Sequence, residues 1–137
     1  MSHNIPLSIL LVEDNPTDAM LLEQSLKLQE DDLPFTLDHA DRLQTGIEMA
    51  QAKTYDIILL DLSLPDSGGL ATFQNMFGAV SKVPIVILTG LDDQDLPFEA
   101  IRNGAQDYVT KETITGPALT HAIRCAVQRH KLYIRSN

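Results

Sequence analysis

The run Asp56-Ile57-Ile58-Leu59-Leu60-Asp61, continued by Leu62-Ser63-Leu64-Pro65, decides how the chain is read. Four consecutive apolar residues leave no polar face, so the segment reads as a strand covered on both sides, the situation of a central strand in a parallel sheet. A carboxylate closing so apolar a run is out of its ordinary setting.

Working outward, Leu7 to Val12, Pro84 to Thr89 and the weaker Asp107 to Thr110 have the same character. Phe35 to Ala40 supplies a fifth strand, in which Phe35, Leu37 and His39 alternate with Thr36 and Asp38, as on a sheet edge with one wetter face. Between the strands, helical spacing recurs in Ala19, Leu22 and Leu26, in Leu43, Ile47 and Ala50, and in Leu70, Phe73 and Phe77. The last helix is expected to open at Gly116 and Pro117 and to run through Leu119, Ile123 and Ala126. Five strands alternating with five helices predict an α/β fold, a doubly wound parallel sheet between two helical layers. Loops at residues 30–34, 65–69 and 92–95 read as solvated surface connections.

The 137 residues and 15.1 kDa suit one core, so residues 1–137 are expected to form a single domain. Hydrophobic residues at 44% and charged residues at 21% exclude a disordered or fibrous chain. Apolar runs such as Ile9 to Val12 and Ile57 to Leu60 are four residues each, far short of the roughly 20 of a membrane-spanning helix. The N-terminal Met-Ser-His-Asn-Ile-Pro has no signal-peptide pattern, and the single Cys125 cannot close an internal disulfide. The cytoplasm is the expected compartment. Before Arg124 the chain carries nineteen acidic and six basic residues, a balance of −13, and after that point +4. The body is expected to repel nucleic acid. The basic end, Arg124, Arg129, Lys131 and Arg135, fits either a contact site or the cations that a helix C-terminus attracts.

Open sheets bind ligands at the carboxyl ends of their strands, where the winding direction switches. That edge collects Glu13 and Asp14 after the first strand, Asp61 at the end of the third, Thr89 at the end of the fourth and Lys111 just past the fifth. In the flavodoxin-like order 2-1-3-4-5 the first and third strands are neighbours about 4.8 Å apart, which gathers three carboxylates. Such a cluster raises its own pKa values unless a cation accompanies it, and oxygen-only ligands favour octahedral Mg²⁺ over zinc. His3, His39, His121 and His130 are scattered, and none is expected to bind metal. Any one of these carboxylates alone would read as a helix cap. Capping does not explain Glu13 beside Asp14, or Asp61 after four apolar residues with a hydroxyl and an ammonium on the next two strands.

The chain resembles the receiver domains of two-component response regulators, the chemotaxis regulator among them, over essentially its whole length. The resemblance is carried by Leu-Leu-Val-Glu-Asp-Asn at 10–15, Asp-Leu-Ser-Leu-Pro-Asp-Ser-Gly-Gly-Leu at 61–70, Val-Pro-Ile-Val-Ile-Leu-Thr-Gly at 83–90 and Gly-Ala-Gln-Asp-Tyr-Val-Thr-Lys at 104–111. It implies that Asp61 is a phosphoacceptor, that Glu13, Asp14, Asp61 and the main-chain carbonyl of Ser63 hold Mg²⁺, and that Thr89 and Lys111 contact the phosphoryl group. It further implies a phosphohistidine donor on a sensor histidine kinase or histidine phosphotransfer protein. Thr89 and Tyr108 are the implied switch pair, and the output face would include Leu91, Phe98 and Arg102. The implied activity is regulatory, limited to the domain's own phosphorylation and dephosphorylation.

Glu112 stands where many members of that family have Pro, so the loop after Lys111 is expected to differ. Ser63 and Leu91 occupy positions that tune acyl-phosphate hydrolysis in the family. Cys125, among Ala122, Ile123 and Ala126, is expected to be a small core residue. Three other readings compete. An aspartyl-nucleophile phosphatase of the haloacid-dehalogenase type would carry a second Asp where Ser63 stands. A flavin carrier on this fold would need Gly and hydroxyls where Glu13 and Asp14 repel phosphate. A phosphorylation-independent binding scaffold would have no use for the complete set of five polar residues.

Overall fold

The computed structural model describes residues 5–90, 92, 93 and 95–136, the last four of these by backbone alone. Leu91 and His3 lie outside the described residues, as does the side chain of Arg135. Five parallel strands, β1 (Leu7–Val12), β2 (Phe35–Ala40), β3 (Ile57–Asp61), β4 (Ile85–Thr89) and β5 (Asp107–Thr110), pair in the spatial order 2-1-3-4-5. Five helices alternate with them: α1 (Pro16–Lys27), α2 (Leu43–Ala52), α3 (Leu70–Ala79), α4 (Leu96–Arg102) and α5 (Gly116–Ser136).

The apolar strands sort their side chains by parity, as the pleat requires. Leu10, Val12, Ile58, Leu60, Ile85 and Ile87 meet Leu43 and Ala50 of α2, Phe73 and Met76 of α3, and Ala100 of α4. Ile9, Leu11, Ile57, Leu59, Val86 and Leu88 meet Ala19, Leu22 and Leu26 of α1 and Leu119, Ile123 and Ala126 of α5. Along Ile9–Val12, Ile57–Leu60 and Ile85–Leu88 both faces are therefore dry, while Thr36 and His39 on the edge strand β2 are exposed.

Helix starts are chemically marked. Asn15 caps α1, its Oδ1 accepting the N–H of Thr17 at 2.9 Å and of Asp18 at 3.1 Å, with Pro16 opening the helix. The α2 start is capped from a distance: Asp66 accepts the N–H groups of Leu43 at 2.8 Å and Gln44 at 3.0 Å. Those donors, that of Gln44 foremost, hold its carboxyl below the ordinary carboxylate value.

Several expectations need correction. Residues 65–69 are at the surface as expected, but they are not a plain loop: Ser67–Gly68 pairs with Ser63–Leu64 in a two-stranded antiparallel hairpin, the preceding Leu62 and Leu64 are buried, and Asp66 is the α2 cap. Hydrophobic anchoring at alternate residues and a cap 23 positions away order it. His39 lies on the same face of β2 as Phe35 but, near the carboxyl end of this edge strand, is exposed, and its Nε2 donates to the Glu13 carbonyl at 2.7 Å. Cys125 is half-buried at the edge of the core, with Sγ 3.4 Å from Nε2 of His121 one turn earlier. At the basic end, Arg124 binds Asp32 at 3.1 Å, and Arg129 binds the Gln106 carbonyl at 3.0 Å, so both tie α5 to the body.

Gly104, in the turn before β5, has φ +122°, and a Cβ there would lie 2.8 Å from the Phe77 ring. Replacement by Ala combines backbone strain with a steric clash. Gly104→Ala is expected to lower stability by about 2 kcal/mol, read as a reduced urea midpoint with unchanged slope.

Candidate functional site

Strand register assembles the site. Val12 pairs with Leu60, so one residue further Glu13 stands level with Asp61. Asp61 pairs with Leu88 and Thr89 with Thr110, which sets Lys111 beyond the end of β4. Oxygens of Glu13, Asp14 and Asp61 lie within 4.8 Å of one another. Glu13 is fully buried, Asp61 is 6% exposed and Asp14 faces solvent, so the cluster grades from dry to wet.

Lys111 reaches across β4 into this cluster. Its ammonium donates to Glu13 Oε1 at 2.9 Å, to Asp61 Oδ2 at 3.0 Å and to Asp18 Oδ2 at 3.0 Å. The remaining oxygens are also engaged: Asp61 Oδ1 accepts the Ser63 N–H at 2.9 Å, and Glu13 Oε2 accepts the Asn15 N–H at 3.2 Å. Burial, reinforced by Asp61, pushes the Glu13 carboxyl up to about 7 against the opposing pull of Lys111. Burial would lower the Lys111 pKa, but its bonds to Glu13, Asp18 and Asp61 outweigh that and hold it above its ordinary value.

A cavity of about 340 Å³ opens over these groups, lined by Glu13, Asp14, Asp18, Asp61, Ser63 and Lys111 and rimmed by Asp92, Asp93 and Glu112. Seven acidic side chains border it with one lysine, a strongly negative mouth that attracts cations and repels free anions. Its carboxylate donor set suits a hard divalent cation, and the openness on the Asp14 side leaves space for retained water.

Two of the anticipated residues stand apart from the cluster. The Thr89 hydroxyl is buried and donates to the Val109 carbonyl at 3.3 Å. Tyr108 is half-buried and packs edge-on against Phe98, ring centroids 5.7 Å apart. Asp18 and His39 are additions that the sequence reading missed. In sequence Asp18 looks like an acid in the first turn of a helix, and only the fold brings it to a lysine 93 residues away.

The sequence matches the response regulator receiver domain family over residues 9–124. The chain belongs to that family. Among curated relatives, the cell cycle transcriptional regulator CtrA of Caulobacter vibrioides is 33% identical over 105 residues, which cover 77% of this chain and 44% of that protein. The cell cycle response regulator CtrA of Brucella ovis is 34% identical over the same shares. The chain thus spans less than half the length of these relatives. Receiver-domain crystal structures share the fold: that from Clostridium thermocellum has a TM-score of 0.79 at 22% identity, covering 93% of this chain and 98% of that one. The receiver domain of an HD domain-containing protein from Pseudomonas fluorescens Pf-5 has a TM-score of 0.81 at 23% identity, covering 95% and 93%. A receiver domain is a regulatory module of two-component signalling.

Removing the ammonium would leave Glu13 and Asp61 facing each other at low exposure with no counter-charge. In metal-free buffer Lys111→Ala is expected to lose about 3 kcal/mol of stability, measured by urea denaturation.

Proposed function

We propose that Asp61 accepts a phosphoryl group from a phosphohistidine on a sensor histidine kinase or histidine phosphotransfer protein, in a reaction dependent on Mg²⁺. The observation that carries this reading is the convergence of Glu13, Asp14, Asp61 and Lys111 at the ends of three different strands. Glu13, Asp14, Asp61 and the main-chain carbonyl of Ser63 would hold the ion. When bound, Mg²⁺ supplies positive charge against the transferring phosphoryl group and the carboxylates around it. A carboxylate oxygen of Asp61 attacks phosphorus as the bond to the donor imidazole nitrogen breaks, and the electron pair leaves with the imidazole. Lys111 adds a fixed point charge beside the acceptor. The chain catalyses only its own phosphorylation and dephosphorylation, and residues 1–137 act as one receiver unit.

Signalling needs two states with different contacts. Thr89 would exchange its bond to the Val109 carbonyl for one to a phosphoryl oxygen, and Tyr108 would turn inward from Phe98 into the space behind it. Phe98, half exposed on α4, together with Arg102 and Tyr108, marks the surface that would change for an output partner. The acidic body supports an output that involves no direct nucleic-acid contact by this domain. Among the described residues no helix is long and apolar enough to cross a membrane, and we place the domain in the cytoplasm.

Incubation with acetyl phosphate and Mg²⁺ is expected to add one phosphoryl mass to the intact protein and none to Asp61→Asn. Millimolar Mg²⁺ is expected to raise the melting temperature by preferential binding to the native state. Asp14→Asn should weaken that binding about tenfold, 1.4 kcal/mol, read from a titration of the melting temperature.

A further inference from the structure

Lys111 is held by more than its role toward Asp61 requires. An ammonium has three N–H donors, and all three are engaged, on Glu13, Asp61 and Asp18. Glu13 and Asp61 belong to the trio of carboxylates that can share a metal ion, and Asp18 does not. Asp18 is therefore the anion left to hold the ammonium when a cation engages the other two. We propose that Asp18 is a positioning residue for phosphoryl transfer, tethering Lys111 so that the N–H now directed at Asp61 stays aimed at a phosphoryl group arriving there. The inference rests on the phosphoacceptor reading above.

The local chemistry makes Asp18 a firm anchor. Its backbone N–H is bound by the Asn15 cap at 3.1 Å, and the Asn15 N–H is bound by Glu13 Oε2 at 3.2 Å, so the first turn of α1 is tied to the site. The Asp18 side chain is 35% exposed, against 14% for Lys111. A second cavity of about 260 Å³ also borders the pair, lined by Leu21, Leu22 and Ile114 together with Ser25 and Glu112. The pair thus lies between the two cavities and lines both. The helix dipole favours a negative charge in this turn, but it does not direct that charge at a lysine across the fold. A lysine on four flexible carbons loses orientation readily, and a fixed acceptor restricts it. In the phosphorylated state the two roles are compatible: one N–H on Asp18, one on the phosphoryl group.

The test measures the rate of phosphorylation by acetyl phosphate at saturating Mg²⁺, with Mg²⁺ affinity measured separately by thermal shift. Asp18→Asn keeps the size of the side chain and removes its charge. Its maximal rate is expected to fall about tenfold, with little change in the half-saturating acetyl phosphate concentration and with Mg²⁺ affinity nearly that of the unmodified chain. Asp18→Glu should recover part of the rate. In a Lys111→Ala background, Asp18→Asn should cause no further loss, since there is no ammonium left to position. An equal loss in both backgrounds would assign Asp18 to the helix alone and overturn the proposal, as would an unchanged or faster rate in the single variant. Absence of any phosphoryl adduct on the unmodified chain would overturn the phosphoacceptor reading and this inference with it, a result distinct from a loss confined to Asp18→Asn.

Discussion

One ammonium among carboxylates at the end of a dry sheet is the constraint on which the working edge depends. Glu13 has no exposure and Asp61 very little, so neither charge is relieved by water. Lys111 bonds both and Asp18 besides. Coulombic attraction at 3 Å in a partly dehydrated site is strong, but so is the cost of dehydrating four charges, and the balance is close. A site so poised can exchange partners: the same oxygens can serve a lysine, a divalent cation or both. Burial above all, with Asp61 beside it, raises the Glu13 pKa by more than Lys111 lowers it.

The rest of the fold keeps these groups from drifting apart. Ile57 to Leu60 and Ile85 to Leu88 are essentially unexposed and packed by helices on both sides, so the strand ends are fixed relative to one another by close packing. Beyond the strand ends, rigidity comes from polar ties. The hairpin after Asp61 is pinned by Asp66 to the start of α2, Asn15 is tied to Glu13, and His39 grips the Glu13 carbonyl from the edge strand. The last two ties join Glu13 itself to the cap of α1 and to the edge strand. The hairpin also accounts for an otherwise plain-looking connection being ordered beside Asp61.

The fourth and fifth strands have a different character. The Thr89 hydroxyl bonds the Val109 carbonyl and Tyr108 leans on a half-exposed Phe98. They are joined to the cavity through the backbone, the Lys111 N–H donating to the Thr89 carbonyl at 2.9 Å. The residue that gathers the carboxylates is thus also bonded to the strand bearing Thr89, a direct physical connection between the acidic edge and the face around α4.

Five strands, their parallel pairing and the gathering of Glu13, Asp14, Asp61 and Lys111 at one edge were legible because each follows from local facts. Apolar runs without a polar face must be covered on both sides, and the pleat and winding direction then determine which ends meet. Asp18 on Lys111, Asp66 on α2 and His39 on Glu13 were not legible. Each is a polar contact between elements distant in the chain, and each residue has an equally good local use as a helix-turn acid, a loop charge or an edge-strand side chain. By itself the amino-acid order determined which residues had to be buried and hence which backbone ends converge. The tertiary structure decided which polar groups bond one another there, because hydrogen bonding depends on distances of a few tenths of an ångström that hydrophobic pattern does not specify.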